Sequence, residues 1–117
     1  MSEAKLSVPA EDRLAIAQAM IAAYNAQDVD SYVSYMTDAA CEANYRGAVV
    51  REGKEGTRSG LAAAFAKWPQ NKAVIRETQA IGDYVLFREH VTRGPATEVI
   101  AVYSFEGDKC SRVEFIR

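Results

Sequence analysis

The segment Tyr84–Gly94, YVLFREHVTRG, contains an acid next to the single histidine of the chain, Glu89 and His90. Side chains alternate across a β-strand, so two consecutive residues face opposite sides of its sheet. The set that contains Glu89 is the more apolar one and is expected to face the core, with Val85, Phe87 and Val91. A carboxyl among apolar side chains is desolvated, which raises its pKa and makes it a usable acid or base near neutral pH.

Other positions stay open for both residues. Glu89 could lie at the rim of the domain, exposed or paired with an arginine such as Arg76 or Arg88, as charged strand residues commonly are. His90, on the outer face, is expected to be a surface or interface residue that bonds a carboxylate such as Glu98 on the next strand. A catalytic role for His90 also stays open, because histidine titrates in the pH range where enzymes work.

Further candidates for proton transfer and ligand binding lie on neighbouring strands. Glu42 and Asn44 are two residues apart in the segment ACEANYRG, so they are expected to share one face of a strand. If this strand lines a pocket, the pair supplies one carboxylate and one amide. An edge strand whose alternate residues face water is an equally open alternative. Tyr103 could donate its hydroxyl to a ligand oxygen, or its ring could simply fill the core.

Two other kinds of site are not predicted. Cys41 and Cys110 are far apart and have no second histidine to help them bind zinc, so we expect no metal, no cofactor and two buried reduced thiols. The segment GKEGTRSG, residues 53–60, lacks the Gly-Lys-Ser/Thr order of a phosphate-binding loop, because Glu55 follows Lys54. It is interpreted as a flexible polar loop.

Length and charge restrict the class of protein. A chain of 117 residues predicts one domain over residues 1–117, and the net charge of −2 argues against nucleic-acid binding. No apolar run approaches the roughly 20 residues that span a bilayer, and MSEAKLSVPAEDR lacks the apolar centre of a signal peptide. We therefore expect no membrane partner and a soluble cytoplasmic protein.

The first half of the chain has the apolar spacing of helices. Pro9 favours a helix start, and Asp28 is the predicted cap of a second helix that ends near Thr37. Ser59 is the predicted cap of a third helix, GLAAAFAKW, which Pro69 ends. The apolar stripe of the first helix comprises Leu14, Ile16, Ala17, Met20, Ile21 and Tyr24.

The second half has the alternation of strands. ACEANYRG predicts one early strand that enters a glycine-rich loop, and four strands follow Pro69: KAVIRETQAI, YVLFREHVTR, ATEVIAVYSFE and CSRVEFIR. The pairs Gly82-Asp83, Gly94-Pro95 and Gly107-Asp108 between them are typical of antiparallel hairpins. Three helices before a four-stranded meander predict an α+β domain whose helices cover one face of a curved sheet.

This order of elements, with the segments YNAQDVDSYVSYMTDAACEANYRG, GTRSGLAAAFAKW and VIAVYSFEGDKCSRVEFIR, resembles the nuclear transport factor 2-like superfamily. Within it, the chain is similar to small bacterial proteins related to SnoaL polyketide cyclases and ketosteroid isomerases. The shared motifs are an Asn-x-x-Asp-x-Asp helix link, an Asp-Ala pair before the first strand and a Gly-Asp-Lys hairpin before the last. The resemblance covers almost the whole chain and implies a cone with a pocket at its open end, often dimerised through the outer face of the sheet.

The best-known reaction of these relatives is not implied. Ketosteroid isomerases combine an aspartate base with a tyrosine and a protonated aspartate that bind the oxyanion. The resemblance puts these three positions at Asn44, Met20 and Ala101, so all three groups are lost. An asparagine cannot take up a proton at neutral pH.

The resemblance and the strand alternation together predict a hydrophobic small-molecule site. The expected activity is cofactor-free acid–base chemistry, as in an isomerase, cyclase, dehydratase or lyase, on a cyclic or aromatic substrate. Glu89 or Glu42 would exchange the proton, while Asn44 and Tyr103 would bind the oxygen. Tyr32 is assigned to ordinary core packing on its helix. The expected pocket residues are Tyr24, Tyr45, Trp68, Phe87, Val99, Tyr103 and Phe115.

The alternative is a non-catalytic ligand-binding or homodimerisation module. Its functional surface would be the outer sheet face, and a pocket closed by Phe65, Trp68 and Phe87 would favour it. The glycines between residues 46 and 59 would also permit that segment to move over a pocket. The outer-face residues are Arg88, His90, Glu98, Ile100 and Val102.

Overall fold

The computed structural model describes residues 10–117, in which three helices precede Trp68. Helix α1 spans Ala10–Asn25, α2 spans Val29–Ser34 and α3 spans Gly53–Lys67. The predicted helix start at Pro9 lies outside the described residues. Asp28 caps α2 as predicted, because its carboxylate accepts a hydrogen bond from the backbone N–H of Ser31 at 3.1 Å. None of these helices is long and apolar enough to cross a membrane.

Six strands form one curved sheet in the order β2-β1-β6-β5-β4-β3. The meander from β3 to β6 is antiparallel, whereas β1 pairs antiparallel with β2 and parallel with β6. Gly82 and Gly107 make the predicted turns with φ of 55° and 62°, which glycine adopts without strain. The α+β fold is thereby confirmed. The strands are β1 (Met36–Asn44), β2 (Val49–Arg51), β3 (Ala73–Ile81), β4 (Tyr84–Thr92), β5 (Ala96–Glu106) and β6 (Lys109–Ile116).

The segment GKEGTRSG is helical, and its prediction as a flexible loop is wrong. Helix α3 begins at Gly53, six residues before the predicted cap at Ser59. Three glycines lower the helix propensity of this segment, but Thr57 and Leu61 are buried on one face of the helix. Packing of that face stabilises the helix where local propensity does not. Most of the segment from 46 to 59 therefore belongs to β2 and α3.

The second helix is shorter than predicted, and the first strand is longer. Helix α2 ends at Ser34 rather than near Thr37, and β1 already begins at Met36. Met36 is in register with Cys110 of β6, whose backbone N–H donates to Tyr35 O at 2.8 Å. This pairing joins residues far apart in the chain, so local spacing does not reveal it.

The concave face of the sheet packs against the helices. Register shifts interrupt three strand pairs, with one extra residue in β2 (Val50), in β3 (Arg76) and in β6 (Ser111), and such bulges bend a sheet. The buried side chains of α1 and α3 meet those of the central strands in one core. It includes Ala17, Met20, Leu61, Phe65, Val85, Phe87, Ala101, Tyr103 and Val113.

Candidate active site

A cavity of about 330 Å³ lies at the end of the sheet where β4 turns into β5. Strand β6 runs antiparallel to β5 and ends toward the same edge of the sheet, opposite Ile100. The three helices and strands β1, β2 and β3 contribute the remaining walls. The exposed lining residues Pro95, Thr97 and Arg117 mark the mouth of the cavity. Its apolar wall comprises Ile21, Leu61, Ala73, Val91, Val99 and Phe115.

Glu89 reaches the cavity from β4 and is only 4% exposed. Its orientation on the inner face, with Phe87 and Val91, is the one expected from the alternation of the strand. The Oε2 atom of Glu89 is buried and has no hydrogen-bond partner among the described residues. Burial, and secondly the charge of Glu42, raises the pKa of Glu89 from 4.5 to about 8. At pH 7 the side chain is mostly protonated, so it has a proton to give to a molecule in the cavity.

Glu42 faces the same cavity from β1, but both of its oxygens are bonded. Tyr32 Oη donates to Glu42 Oε2 at 2.6 Å, and Arg51 Nη1 donates to Oε1 at 2.6 Å. Burial, and secondly the charge of Glu42, raises the pKa of Tyr32 well above 10, so Tyr32 remains a donor. The guanidinium of Arg51 compensates the charge of Glu42, which is only 1% exposed.

The absence of a side chain at Gly60 leaves room for Arg51 to reach Glu42. A Cβ atom at Gly60 would lie 2.9 Å from both Cδ and Nε of Arg51, closer than real Cβ contacts allow. The side chain of Arg51 is 14% exposed and is held at Glu42 by the ion pair. Gly60 on α3 is therefore part of the geometry that keeps Glu42 paired.

Two tyrosines add hydroxyl groups to the cavity wall. Tyr24 Oη accepts a hydrogen bond from Asn71 Nδ2 at 2.7 Å, which leaves its own proton free to be donated to a ligand. Tyr103 lines the cavity from β5. Burial raises the pKa of Tyr24 and raises that of Tyr103 well above 10, so both hydroxyls keep their protons.

The comparisons with known proteins agree with this architecture. The model of the SnoaL-like domain matches residues 17–113. The chain belongs to the SnoaL-like family. A search of curated proteins found no match.

Crystal structures of three relatives share the fold. An uncharacterized cystatin-fold protein from Novosphingobium aromaticivorans is 75% identical, with a TM-score of 0.86 over 90% of this chain and 97% of that chain. A SnoaL-like protein of unknown function from Burkholderia thailandensis is 18% identical, with a TM-score of 0.78 over 92% and 95%. A proposed SnoaL-like polyketide cyclase from Jannaschia sp. CCS1 is 16% identical, with a TM-score of 0.76 over 93% and 88%. The resemblance predicted from the sequence is confirmed.

Asn44 does not lie in the cavity of this SnoaL-like protein, although it follows Glu42 by two residues. The two residues share a strand face, since Glu42 pairs with Val113 and Asn44 with Phe115 of β6, and the irregularity after Glu42 lies in β2. The Oδ1 atom of Asn44 accepts a hydrogen bond from Arg117 Nη1 at 2.6 Å. The expected shared face of Glu42 and Asn44 is present, but Asn44 does not reach the cavity and its amide oxygen is bonded to Arg117.

Three aromatic residues expected in the cavity lie elsewhere. Tyr45 is 49% exposed beyond the end of β1, and Trp68 follows α3 and packs against the guanidinium of Arg93. Phe87 is fully buried two residues before Glu89, where its ring contacts Tyr103 edge to face. The other four expected residues do line the cavity: Tyr24, Val99, Tyr103 and Phe115.

The sequence did not point to four of the polar lining residues. Tyr32 was assigned to core packing, but its hydroxyl bonds Glu42; a buried tyrosine needs such a partner, which was the available signal. Arg51 fell in a segment interpreted as a loop, and the sequence singled out neither Arg93 among the hairpin residues nor Arg117 after the last strand. Their contacts are made between separate elements, so spacing within one element does not predict them.

The opposite face of the sheet carries a separate polar cluster. His90 Nδ1 bonds Glu98 Oε2 at 2.6 Å, as expected, and Arg88 bonds Glu98 and Glu77. His90 does not line the cavity.

The two cysteines and the acidic residues form no metal site in the described part of the chain. Both thiols are free and buried, as expected, and burial raises the pKa of Cys110 to about 12. Within residues 10–117, no group of three histidine, cysteine or acidic side chains is placed to hold a metal ion.

Proposed function

We propose that this SnoaL-like protein is an acid–base enzyme that needs no cofactor and acts on a hydrophobic cyclic or aromatic molecule. The observation that carries the proposal is the carboxyl of Glu89, buried in the cavity wall with an unpartnered Oε2. A buried polar atom without a partner is costly unless something else binds it. A ligand group in the cavity supplies that partner.

Glu89 exchanges the proton in this proposal. The rise of its pKa to about 8 brings its two protonation states close in free energy near neutral pH, as general acid–base catalysis requires. The hydroxyls of Tyr24 and Tyr103 bind the substrate oxygen, where negative charge develops when a neighbouring carbon loses its proton. They take the role first assigned to Asn44. Glu42 is a positioning residue, because Tyr32 and Arg51 occupy its oxygens.

The size and chemistry of the cavity support a small substrate of this class. Its volume of about 330 Å³ lies at the lower end of the range of roughly 300–1,000 Å³ that holds small organic ligands. Phe65, Trp68 and Phe87 do not close it, since none of them lines it. Isomerases, cyclases, dehydratases and lyases share a proton transfer next to a carbonyl or hydroxyl group. The relative from Jannaschia, named as a proposed polyketide cyclase, fits the same class.

The test is a proton exchange that needs no knowledge of the natural substrate. The probe is 2-tetralone, a bicyclic ketone whose acidic α-protons exchange with solvent; the rate of deuterium incorporation in D₂O is followed by NMR. We expect the wild-type protein to accelerate exchange and Glu89→Gln to slow it by at least about 100-fold. The rate should rise with pH through about 8 as Glu89 becomes a base. Equal rates for the two proteins would contradict the proposal.

A homodimer is the second function that an observation favours. The outer sheet face exposes Val74 and Tyr84, each at 49%, next to the charged cluster of Arg88, His90 and Glu98. Such a mixture of apolar and paired charged groups suits a self-complementary interface. We propose a cytoplasmic homodimer through this face. Light scattering should give twice the chain mass for the wild type and the monomer mass for Val74→Glu; a monomeric wild type would refute it.

A further inference from the structure

Two arginines lie at the mouth of the cavity, each directly after the end of a strand. Arg93 follows β4 and Arg117 follows β6, and both line the cavity. Strand β5 pairs with β4 on one side and with β6 on the other, antiparallel to both. The ends of β4 and β6 therefore point to the same edge of the sheet, β4 ending opposite Ala96 of β5 and β6 ending opposite Ile100.

Both arginines are held by groups that leave their charge uncompensated. The Arg93 guanidinium lies 5.2 Å from the centre of the Trp68 ring. The Arg117 guanidinium lies 5.5 Å from the centre of the Phe115 ring and donates to the neutral amide oxygen of Asn44. In the part of the chain that the structure describes, neither forms an ion pair with an aspartate or glutamate side chain. Five other arginines do pair with carboxylates: Arg13, Arg51, Arg58, Arg88 and Arg112.

The remaining charges of the cavity leave a net positive mouth. Arg51 compensates Glu42, and Glu89 is mostly protonated at neutral pH because burial raises its pKa to about 8. The other walls are apolar or carry tyrosine hydroxyls. The uncompensated charges are therefore those of Arg93 and Arg117, both at the exposed end.

We propose that the substrate is a carboxylic acid whose apolar ring lies in the cavity and whose carboxylate binds between Arg93 and Arg117. The ring would pack against Val91 and Val99, which places it beside Glu89 on the same strand face. A guanidinium matches a carboxylate with two parallel hydrogen bonds, and two arginines favour one anionic group strongly. This substrate class rests on the proposed function only in assuming that the cavity is the active site.

The first test compares one ring system with and without its charge. Isothermal titration calorimetry measures the affinity of 2-naphthoate and of 2-naphthamide, which has the same rings and no charge. We expect 2-naphthoate to bind about tenfold to a hundredfold more tightly, the size expected for hydrogen bonds to a charged group. 2-Naphthyl phosphate is the third probe and should bind more weakly than 2-naphthoate. Equal affinity of the acid and the amide, or tighter binding of the phosphate, would overturn the assignment.

The second test asks whether Arg93 and Arg117 are responsible for the preference for 2-naphthoate. Arg93→Gln and Arg117→Gln should each lower the affinity for 2-naphthoate about tenfold while leaving that for 2-naphthamide unchanged. Arg76→Gln is the matched control, because Arg76 is an exposed arginine of β3 that does not line the cavity. An equal loss in the control would show a general charge effect and refute the site.

The two proposals fail separately. If wild-type protein shows no preference for 2-naphthoate yet accelerates exchange of 2-tetralone through Glu89, the carboxylate assignment is wrong and the acid–base proposal stands. If the preference depends on Arg93 and Arg117 but exchange does not depend on Glu89, the binding site stands and the acid–base proposal is wrong.

Discussion

Glu89 and Glu42 face the same cavity from different strands, and their carboxyls have opposite hydrogen-bonding environments. Glu42 has a donor on each oxygen, from Tyr32 and Arg51. Glu89 Oε2 has no partner among the described residues, and the charge of Glu42 adds to the burial that raises the pKa of Glu89. Two carboxyls in one site can take different roles when their environments differ in this way.

Stability should fall with pH because of Glu89. Its pKa is about 8 in the folded protein and near 4.5 in the unfolded chain, so between these values the folded state holds a proton that the unfolded state has lost. The free energy of unfolding attributable to Glu89 is therefore fully present below pH 4.5 and declines by about 1.4 kcal/mol per pH unit up to pH 8. Glu89→Gln removes this dependence.

Urea denaturation of the wild type and of Glu89→Gln between pH 4 and pH 9 measures this pH dependence of stability. The difference between wild type and Glu89→Gln isolates this residue, since every other titrating group is common to both. A difference that does not change with pH would contradict the raised pKa.

Gly60→Ala should destabilise the protein although alanine favours helices. The new Cβ would meet Arg51 at 2.9 Å and move its guanidinium away from Glu42, leaving a buried charge without its partner. Loss of a buried ion-pair partner costs about 3 kcal/mol, which exceeds the gain in helix propensity of about 1 kcal/mol.

Gly56→Ala in the same helix is the matched control. A Cβ at Gly56 would have no described neighbour closer than 3.9 Å, an ordinary contact. Only the propensity gain of up to about 1 kcal/mol applies there, so this variant should be more stable in urea. Stabilisation by both substitutions would show that Arg51 does not need the space at Gly60.

Tyr32→Phe should cost stability by removing a donor from buried Glu42. The 2.6 Å hydrogen bond to Oε2 is lost while the ring is kept, and an unsatisfied buried acceptor costs about 1–3 kcal/mol. Tyr84→Phe removes a hydroxyl from a tyrosine that is 49% exposed and should change the free energy of unfolding little. Similar losses in the two variants would argue that Tyr32 stabilises the fold through its ring alone.

The strand phase and the hairpins were predictable from the chain because both depend on residues next to one another. Alternation placed Glu89 inward, and glycine pairs marked the turns. The start of α3 was not predictable in this way, since the buried face at Thr57 and Leu61 stabilises a segment whose glycines disfavour a helix. Tertiary packing therefore determines where α3 begins.

The polar half of the site depends on contacts between separate elements. The contact of Arg51 with Glu42 joins β2 to β1 and passes Gly60 of α3, so no spacing within one element encodes it. The contact of Asn44 with Arg117 likewise joins the end of β1 to the residue after β6, so the alternation that gives the face of Asn44 does not predict its partner.

His90→Gln should leave the chemistry unchanged, although His90 is the only histidine of the chain and adjoins Glu89. Its ring lies on the outer face and bonds Glu98, and such a solvent-exposed pair contributes little to stability. The 2-tetralone exchange rate should therefore match that of the wild type at every pH, whereas Glu89→Gln slows it. A loss of exchange in His90→Gln with unchanged urea stability would mean that protons reach the substrate from the outer face, and the assignment to Glu89 would be wrong.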